Sequence, residues 1–142
     1  MNKKIIFENY VPSNEQQIIT EAIEKIIKMG ERHNIPVHIL QKPLYVLYKQ
    51  IEGYAMIQPL IGGNADIIGH RLYLNSDYIF EESVLERLVA HEVLHTFSSK
   101  NILRHEALKF KSISLDYEVT YNKRITHLTE QDVLYIESRM KI

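Results

Sequence analysis

The sequence predicts one α+β domain over residues 1–142, with a helix first, a small, mostly antiparallel sheet next and further helices last. Apolar residues recur every three or four positions near the start and again after residue 83, which is the spacing of one helix face. Between these regions lie short β-rich segments. A chain of 142 residues has the usual size of one domain, and no break in composition separates a second one.

The first helix is predicted to begin at Ser13. Ser13 is a suitable N-cap, and Gln16 three residues later completes a capping box. The apolar residues of this helix form one stripe, at positions 18, 19, 22, 23, 26 and 27. Gly30 stands where a helix commonly ends. We interpret the stripe as core packing and residues 1–11 as a short strand or arm.

Four short segments predict the strands of the sheet. They lie at 36–40, 44–48, 53–57 and 71–75. The last of them alternates polar and apolar residues, as a strand with one buried face does. The Gly and Asn content of residues 59–66 predicts a loop before it.

Helical periodicity returns at residue 83. Ser83 and Glu86 form another capping-box pattern, which predicts a helix over 83–99. The remaining segments are predicted in the same way: a helix over 102–113 capped by Asn101, a strand or extended segment over 116–121, and a last helix from residues 129–132 toward Met140.

Composition excludes several classes of function. The chain has no cysteine, which excludes a disulfide scaffold, a thiolate nucleophile and a Cys-based zinc ribbon. A metal would therefore rest on the seven histidines and on carboxylates. The net charge of -1 provides no positive field to attract nucleic acid. No apolar run is long enough for a membrane span or a signal peptide, so we expect a soluble, cytoplasmic protein.

The predicted 83–99 helix carries an H-E-x-x-H motif. His91 and His95 are four residues apart, so both imidazoles lie on one helix face and can bind one ion. Glu92 is placed to reach a water beside that ion rather than the ion itself. This pattern is the zinc-protease signature, in which the glutamate acts as general base.

A catalytic zinc ion needs a third protein ligand and one open position. His105, ten residues after His95, is the favoured candidate because the chain can turn between them. Glu118 would instead complete a two-His, one-Glu set. The weaker candidates are Glu106, His127 and His70.

Three segments resemble the SprT-like zinc metallopeptidase family. Residues 88–96 resemble its apolar lead-in followed by H-E-x-x-H, and residues 105–111 resemble its "H-G-x-x-F-K" segment. Residues 53–55 with 71–75 resemble its hairpin. The resemblance covers about residues 13–113.

The chain also departs from this family. Glu106 replaces the glycine that follows the third histidine, and the absence of cysteine excludes the C-terminal zinc ribbon of many relatives. Residues 114–142 match nothing in the family pattern. Relatives of this compact size also occur among phage proteins.

The resemblance implies a zincin-like minimal metallopeptidase domain with one catalytic Zn²⁺. His91, His95 and His105 would hold the ion, Glu92 would be the general base, and the aromatic residue of the third segment would pack beneath the site. The substrate would be a protein or peptide, which we expect to pair with an edge strand at 71–75. The candidates for stabilising the oxyanion are Arg104, Tyr117 and Tyr121.

Alternatives to proteolysis remain at this point. The chain could bind zinc in a regulatory or structural role, could be a zinc amidase on non-protein substrates, or could carry the motif by accident. Some SprT-like relatives cleave proteins crosslinked to DNA through separate DNA-binding elements, so the resemblance leaves nucleic acid open although the charge does not support it. The oligomeric state is not predicted.

Overall fold

The computed structural model describes residues 3–99 and 102–140 and has a mixed α and β architecture, which confirms the α+β class. Its elements in chain order are β1 (Ile5–Phe7), α1 (Ser13–Arg32), α2 (Val37–Leu40), β2 (Leu44–Lys49), β3 (Ala55–Ile61), β4 (Ile67–Asn75), α3 (Glu82–Leu94), α4 (Leu108–Tyr121) and α5 (Glu130–Ser138). None of the helices in these two stretches combines the length and the apolarity needed to cross a bilayer.

The sheet has the strand order β1-β2-β4-β3. β1 and β2 are parallel, β2 and β4 are parallel, and only the β3–β4 hairpin is antiparallel. The prediction of a mostly antiparallel sheet is therefore wrong. One physical reason is that α1 and α2 form a helical crossover between β1 and β2, as parallel strands require. The other is that β4, the second strand of the hairpin, pairs with β2, whereas β3 lies at the edge of the sheet.

This strand order also corrects the predicted edge strand. Residues 71–75 belong to β4, which pairs with β2 on one side and β3 on the other. The edge beside the hairpin is therefore β3. The predicted loop at 59–66 is shorter than expected, because β3 continues to Ile61 and β4 begins at Ile67.

The core lies between the sheet and the long helices. The predicted stripe of α1 is confirmed, since Ile19, Ile23 and Ile26 are fully buried. Alternate residues of β4, including Leu72 and Leu74, face the same core. The apolar residues of α3 pack against this layer, which leaves the polar face of α3 free to build a site.

Several local predictions change. Residues 36–40 form a short helix rather than a strand, with Pro36 at its N-cap. Helix α1 begins at Ser13 as predicted, but Ser13 is not the N-cap. Helix α3 is capped by the carboxylate of Glu81, which accepts hydrogen bonds from the backbone N–H groups of Ser83 and Val84. It ends at Leu94, one turn earlier than expected.

The largest local difference is α4. The helix predicted over 102–113 and the extended segment predicted over 116–121 are replaced by one helix over Leu108–Tyr121. Phe110, Ile113 and Tyr117 are buried at helical spacing, and this packing decides the outcome. The predicted cap, Asn101, lies outside the described residues.

The last helix begins as predicted, at a capping box formed by Thr129 and Asp132. The Asp132 carboxylate also accepts two hydrogen bonds of 2.7 Å from the guanidinium of Arg87 on α3. The two side chains are only 13% and 14% exposed. This bidentate ion pair attaches α5 to the helix that carries the H-E-x-x-H motif.

We expect Asp132→Asn to lower the free energy of unfolding at pH 7 by about 1.5–3 kcal/mol, the usual contribution of hydrogen bonds to charged groups. The hydrogen bonds from Arg87 hold the pKa of Asp132 below its ordinary range. A depressed folded-state pKa stabilises the protein above the unfolded pKa of about 3.9, and this stabilisation is lost as the pH falls further. Urea unfolding in the presence of a chelator measures the effect.

The difference between wild type and Asp132→Asn should therefore be smaller at pH 3 than at pH 7. An equal difference at both pH values would mean that the ionised pair does not stabilise the fold. Glu130→Gln, at an exposed position of the same helix, is the matched control and should have little effect.

Candidate metal centre

Three histidines from two regions of the chain meet at the C-terminal end of α3. His91 lies in the last turn of α3, His95 is its C-cap residue, and His105 lies in the turn before α4. The Nε2 atom of His91 is 3.2 Å from Nε2 of His95 and 3.1 Å from Nε2 of His105. All three ligand atoms lie within 4.8 Å of one another.

Backbone carbonyls orient two of these rings. Nδ1 of His91 is 2.6 Å from the carbonyl oxygen of Ile125, and Nδ1 of His95 is 2.6 Å from that of Leu103. A carbonyl only accepts hydrogen bonds, so each Nδ1 must carry the proton and donate it. In the neutral imidazole, Nε2 then has no proton and carries a free lone pair, which is the form that binds metals.

The neutral form is also the one that burial favours. Burial lowers the pKa of His91 to about 4, although its hydrogen bond to the Ile125 carbonyl opposes the shift. Burial likewise lowers the pKa of His95. At neutral pH, the Nε2 atoms of His91 and His95 therefore face each other at 3.2 Å without a proton to share.

A cation fits this arrangement. Two nitrogen ligands at about 2.0–2.1 Å from one tetrahedral ion stand about 3.3–3.4 Å apart, close to the distances between the histidine nitrogens. Three imidazoles and no thiolate form a donor set suited to zinc and its neighbours in the first transition row. The three residues thus have the chemistry and the spacing of a metal site.

Phe110 supports all three rings from below. Its ring centroid is 5.5 Å from that of His91, 4.9 Å from that of His95 and 5.1 Å from that of His105. The side chain is almost fully buried at the first turns of α4. The expectation of an aromatic residue packed beneath the site is confirmed.

Glu92 lies beside the three histidines but is not one of the clustered ligands. Its carboxylate oxygen Oε2 is 3.9 Å from Nε2 of His91. Its side chain is 13% exposed, and burial raises the pKa of the carboxyl to about 7. A carboxylate with this pKa can accept and return protons near neutral pH.

The site opens into a cleft of about 550 Å³. Helix α3 lines one side with Leu88, His91 and Glu92, and Tyr54 and Ala55 at the start of β3 line another. The third side is formed by residues 124–128, which connect α4 to α5. The cleft therefore gives solvent and ligands access to the histidine nitrogens.

The other candidate ligands do not join the cluster. The Glu118 carboxylate is 3.9 Å from Arg124 and is not among the clustered ligands, while Glu106 is exposed. His70 is buried in β4, with an Nδ1 atom that has no hydrogen-bond partner in the described part of the chain. His127 lines the cleft but is not among the clustered ligands.

The three oxyanion candidates are not supported by their positions. Tyr117 is fully buried and donates its hydroxyl hydrogen bond to Glu86 at 2.9 Å. Arg104 is exposed, and neither it nor Tyr121 lines the cleft. Apart from the clustered histidines, the side chains that line the cleft and can donate hydrogen bonds are instead Tyr54, Arg87, Lys111, Arg124, Thr126 and His127.

Sequence reasoning missed the carbonyls of Leu103 and Ile125. Every residue has a carbonyl, so no residue type marks the one that will orient a ligand. The role of residues 124–128 as a wall of the cleft was also missed, because this segment has no periodic pattern. Only the fold places these carbonyls and residues 124–128 beside the histidines.

Comparisons with known proteins leave the chain without an assigned relative, since no family model, no curated protein and no solved structure matches it.

Proposed function

We propose that this protein is a zinc-dependent metallopeptidase. The observation that carries the proposal is the convergence of three histidine Nε2 atoms beside Glu92 in an open cleft. Three protein ligands with one free position are typical of a catalytic zinc site, whereas structural sites close the fourth position with protein. A purely structural site would also have no need of a buried carboxylate next to the ligands.

When bound, the zinc ion would supply Lewis acidity and favour ionisation of water. The residues of the chain would do the rest. Glu92 would accept a proton from the attacking water, whose oxygen forms the new bond to the peptide carbonyl carbon. As the C–N bond breaks, Glu92 would return the proton to the departing amine. The products are a carboxylic acid and an amine, which become a carboxylate and an ammonium ion once the acid proton moves to the amine, so atoms and charges balance.

The substrate is proposed to bind along β3. This strand pairs with β4 on one side, and its other edge pairs with no strand among residues 3–99 and 102–140. Tyr54 and Ala55, at its start, line the cleft. An extended peptide can add to such an edge through main-chain hydrogen bonds. Pro59 cannot donate one, so pairing should be confined to the end nearest the cleft.

Incubating the zinc-loaded protein with reduced, unfolded α-lactalbumin tests the proposal. We expect about one equivalent of zinc per chain and new peptide termini, identified by mass spectrometry, that are absent after chelation and return on adding zinc. Zinc binding with no cleavage of unfolded protein would favour a regulatory or structural metal site. Less than half an equivalent of zinc would contradict the metal site itself.

A further inference from the structure

We infer that the cleft recognises acidic side chains near the bond to be cleaved, and that Lys111 is the residue that selects them. This inference deepens the proposed function and rests on it. Three basic residues, Arg87, Lys111 and Arg124, line the cleft, together with His127. Glu92 is the single acidic residue in the described lining.

The charge of the cleft does not reflect the charge of the chain. The whole protein has 17 basic and 18 acidic residues, so a random surface region would be close to neutral. The cleft instead has three basic residues to one acidic residue, before the charge of a bound metal is added. A charge that is local to one cleft points to a ligand that enters that cleft.

The three basic residues differ in how available they are. The two terminal nitrogens of the Arg87 guanidinium already bind Asp132, and its Nε donates to the carbonyl of Ser83, so this charge is neutralised. Arg124 stands 3.9 Å from Glu118, and both are about half exposed. Lys111 has neither an ion pair nor a side-chain hydrogen bond within the described chain. It is therefore the charge best able to receive a new partner.

Lys111 is also well placed along the chain. It directly follows Phe110, which packs under the three histidines, so its backbone is fixed close to the metal centre. Apolar side chains including Leu88, Ile125 and Leu128 line the same cleft. Low-dielectric walls strengthen the attraction between charges inside a cleft. This attraction would favour a glutamate or aspartate side chain of a bound peptide over a neutral one.

An acidic peptide fits these observations better than nucleic acid does. Phosphate backbones are bound by several basic residues spread along an extended surface. Here the basic residues lie in a cleft of about 550 Å³ on a chain with net charge -1. One available lysine beside apolar walls matches one carboxylate side chain.

The inference can be tested with peptides that the wild-type protein cuts. Each position flanking the cleaved bond is replaced in turn by Glu, Gln or Lys. At one or more positions, kcat/KM should be about 3- to 10-fold higher for Glu than for Gln, the range of a partly screened ion pair. Lys111→Glu should reverse the order in favour of Lys. Lys28→Glu, an equal charge change on α1 beside a different cleft, should keep the wild-type order.

A binding measurement separates this inference from the proposed function. Glu92→Gln protein loaded with zinc should bind a fluorescein-labelled Glu peptide more tightly than its Gln analogue, and Lys111→Glu and added salt should remove the difference. This result would support the cleft preference even if no peptide were cleaved. Equal binding of both peptides, or a Glu preference that survives Lys111→Glu, would overturn it. Tighter binding of a 20-nucleotide single strand than of any peptide, lost in Lys111→Glu, would also overturn it.

Discussion

Glu92→Gln is expected to abolish measurable proteolysis while zinc binding stays intact. Glutamine has the shape of glutamate but cannot accept a proton from water, and loss of a general base usually lowers the rate by about 10²–10⁴-fold. The histidine ligands are unchanged, because the Glu92 carboxylate lies 3.9 Å from the nearest of their nitrogens and is not in the ligand cluster. The measurement is kcat/KM together with zinc content.

Two further results make this test decisive. The fold of Glu92→Gln should be as stable as that of the wild type or slightly more so, because a neutral amide replaces a buried carboxyl whose pKa is raised to about 7. Glu82→Gln is a control at an exposed position of the same helix outside the cleft and should keep its activity. Unchanged kcat/KM in Glu92→Gln would remove Glu92 from the mechanism.

His105→Ala should remove most of the stabilisation that zinc provides. At a zinc concentration 1,000 times Kd, binding stabilises the folded state by about 4 kcal/mol. Loss of one of three ligands should weaken binding more than about 100-fold, since loss of a supporting residue alone costs 10- to 100-fold. At the same zinc concentration, less than about 1.5 kcal/mol would remain. Thermal unfolding with and without zinc measures this difference.

The matched variant is Glu118→Ala, which removes the rival third ligand. Zinc should stabilise it as much as the wild type, because Glu118 lies outside the histidine cluster. His105 is exposed, so the zinc-free His105→Ala protein should unfold at nearly the wild-type temperature. If Glu118→Ala lost the zinc effect and His105→Ala kept it, the centre would be a two-His, one-Glu site in a different conformation.

The helices that could be predicted were those with a strong local pattern. The stripe of α1 and the Thr129–Asp132 capping box of α5 both depend on residues within a few positions of one another. Helix α4 was misplaced because residues 102–107 have a helical composition, whereas the burial of Phe110 and Tyr117 is decided by distant partners. Local propensity is a weak guide where packing competes with it.

In the sheet, too, local pattern predicted some features and long-range packing decided others. The approximate positions of β2, β3 and β4 followed from composition and alternation, but their order did not. An alternating strand looks the same in the middle of a sheet as at its edge, so residues 71–75 could not be distinguished from a true edge strand. The insertion of β4 between β2 and β3 is a long-range event, and it moves the free edge to β3.

The candidate metal site depends partly on local sequence and partly on the fold. His91, Glu92 and His95 could be identified along the chain because a helix places residues four apart on one face, whatever surrounds it. His105 could only be favoured over Glu118, since a turn of unknown course separates it from the helix. The tertiary structure decided the rest. It places Nε2 of His105 3.1 Å from Nε2 of His91, and it places the carbonyls of Leu103 and Ile125 against the rings of His95 and His91. It also brings the basic residues of the cleft together. These contacts join residues outside one continuous helix or strand, and only a folded core holds such residues at fixed distances.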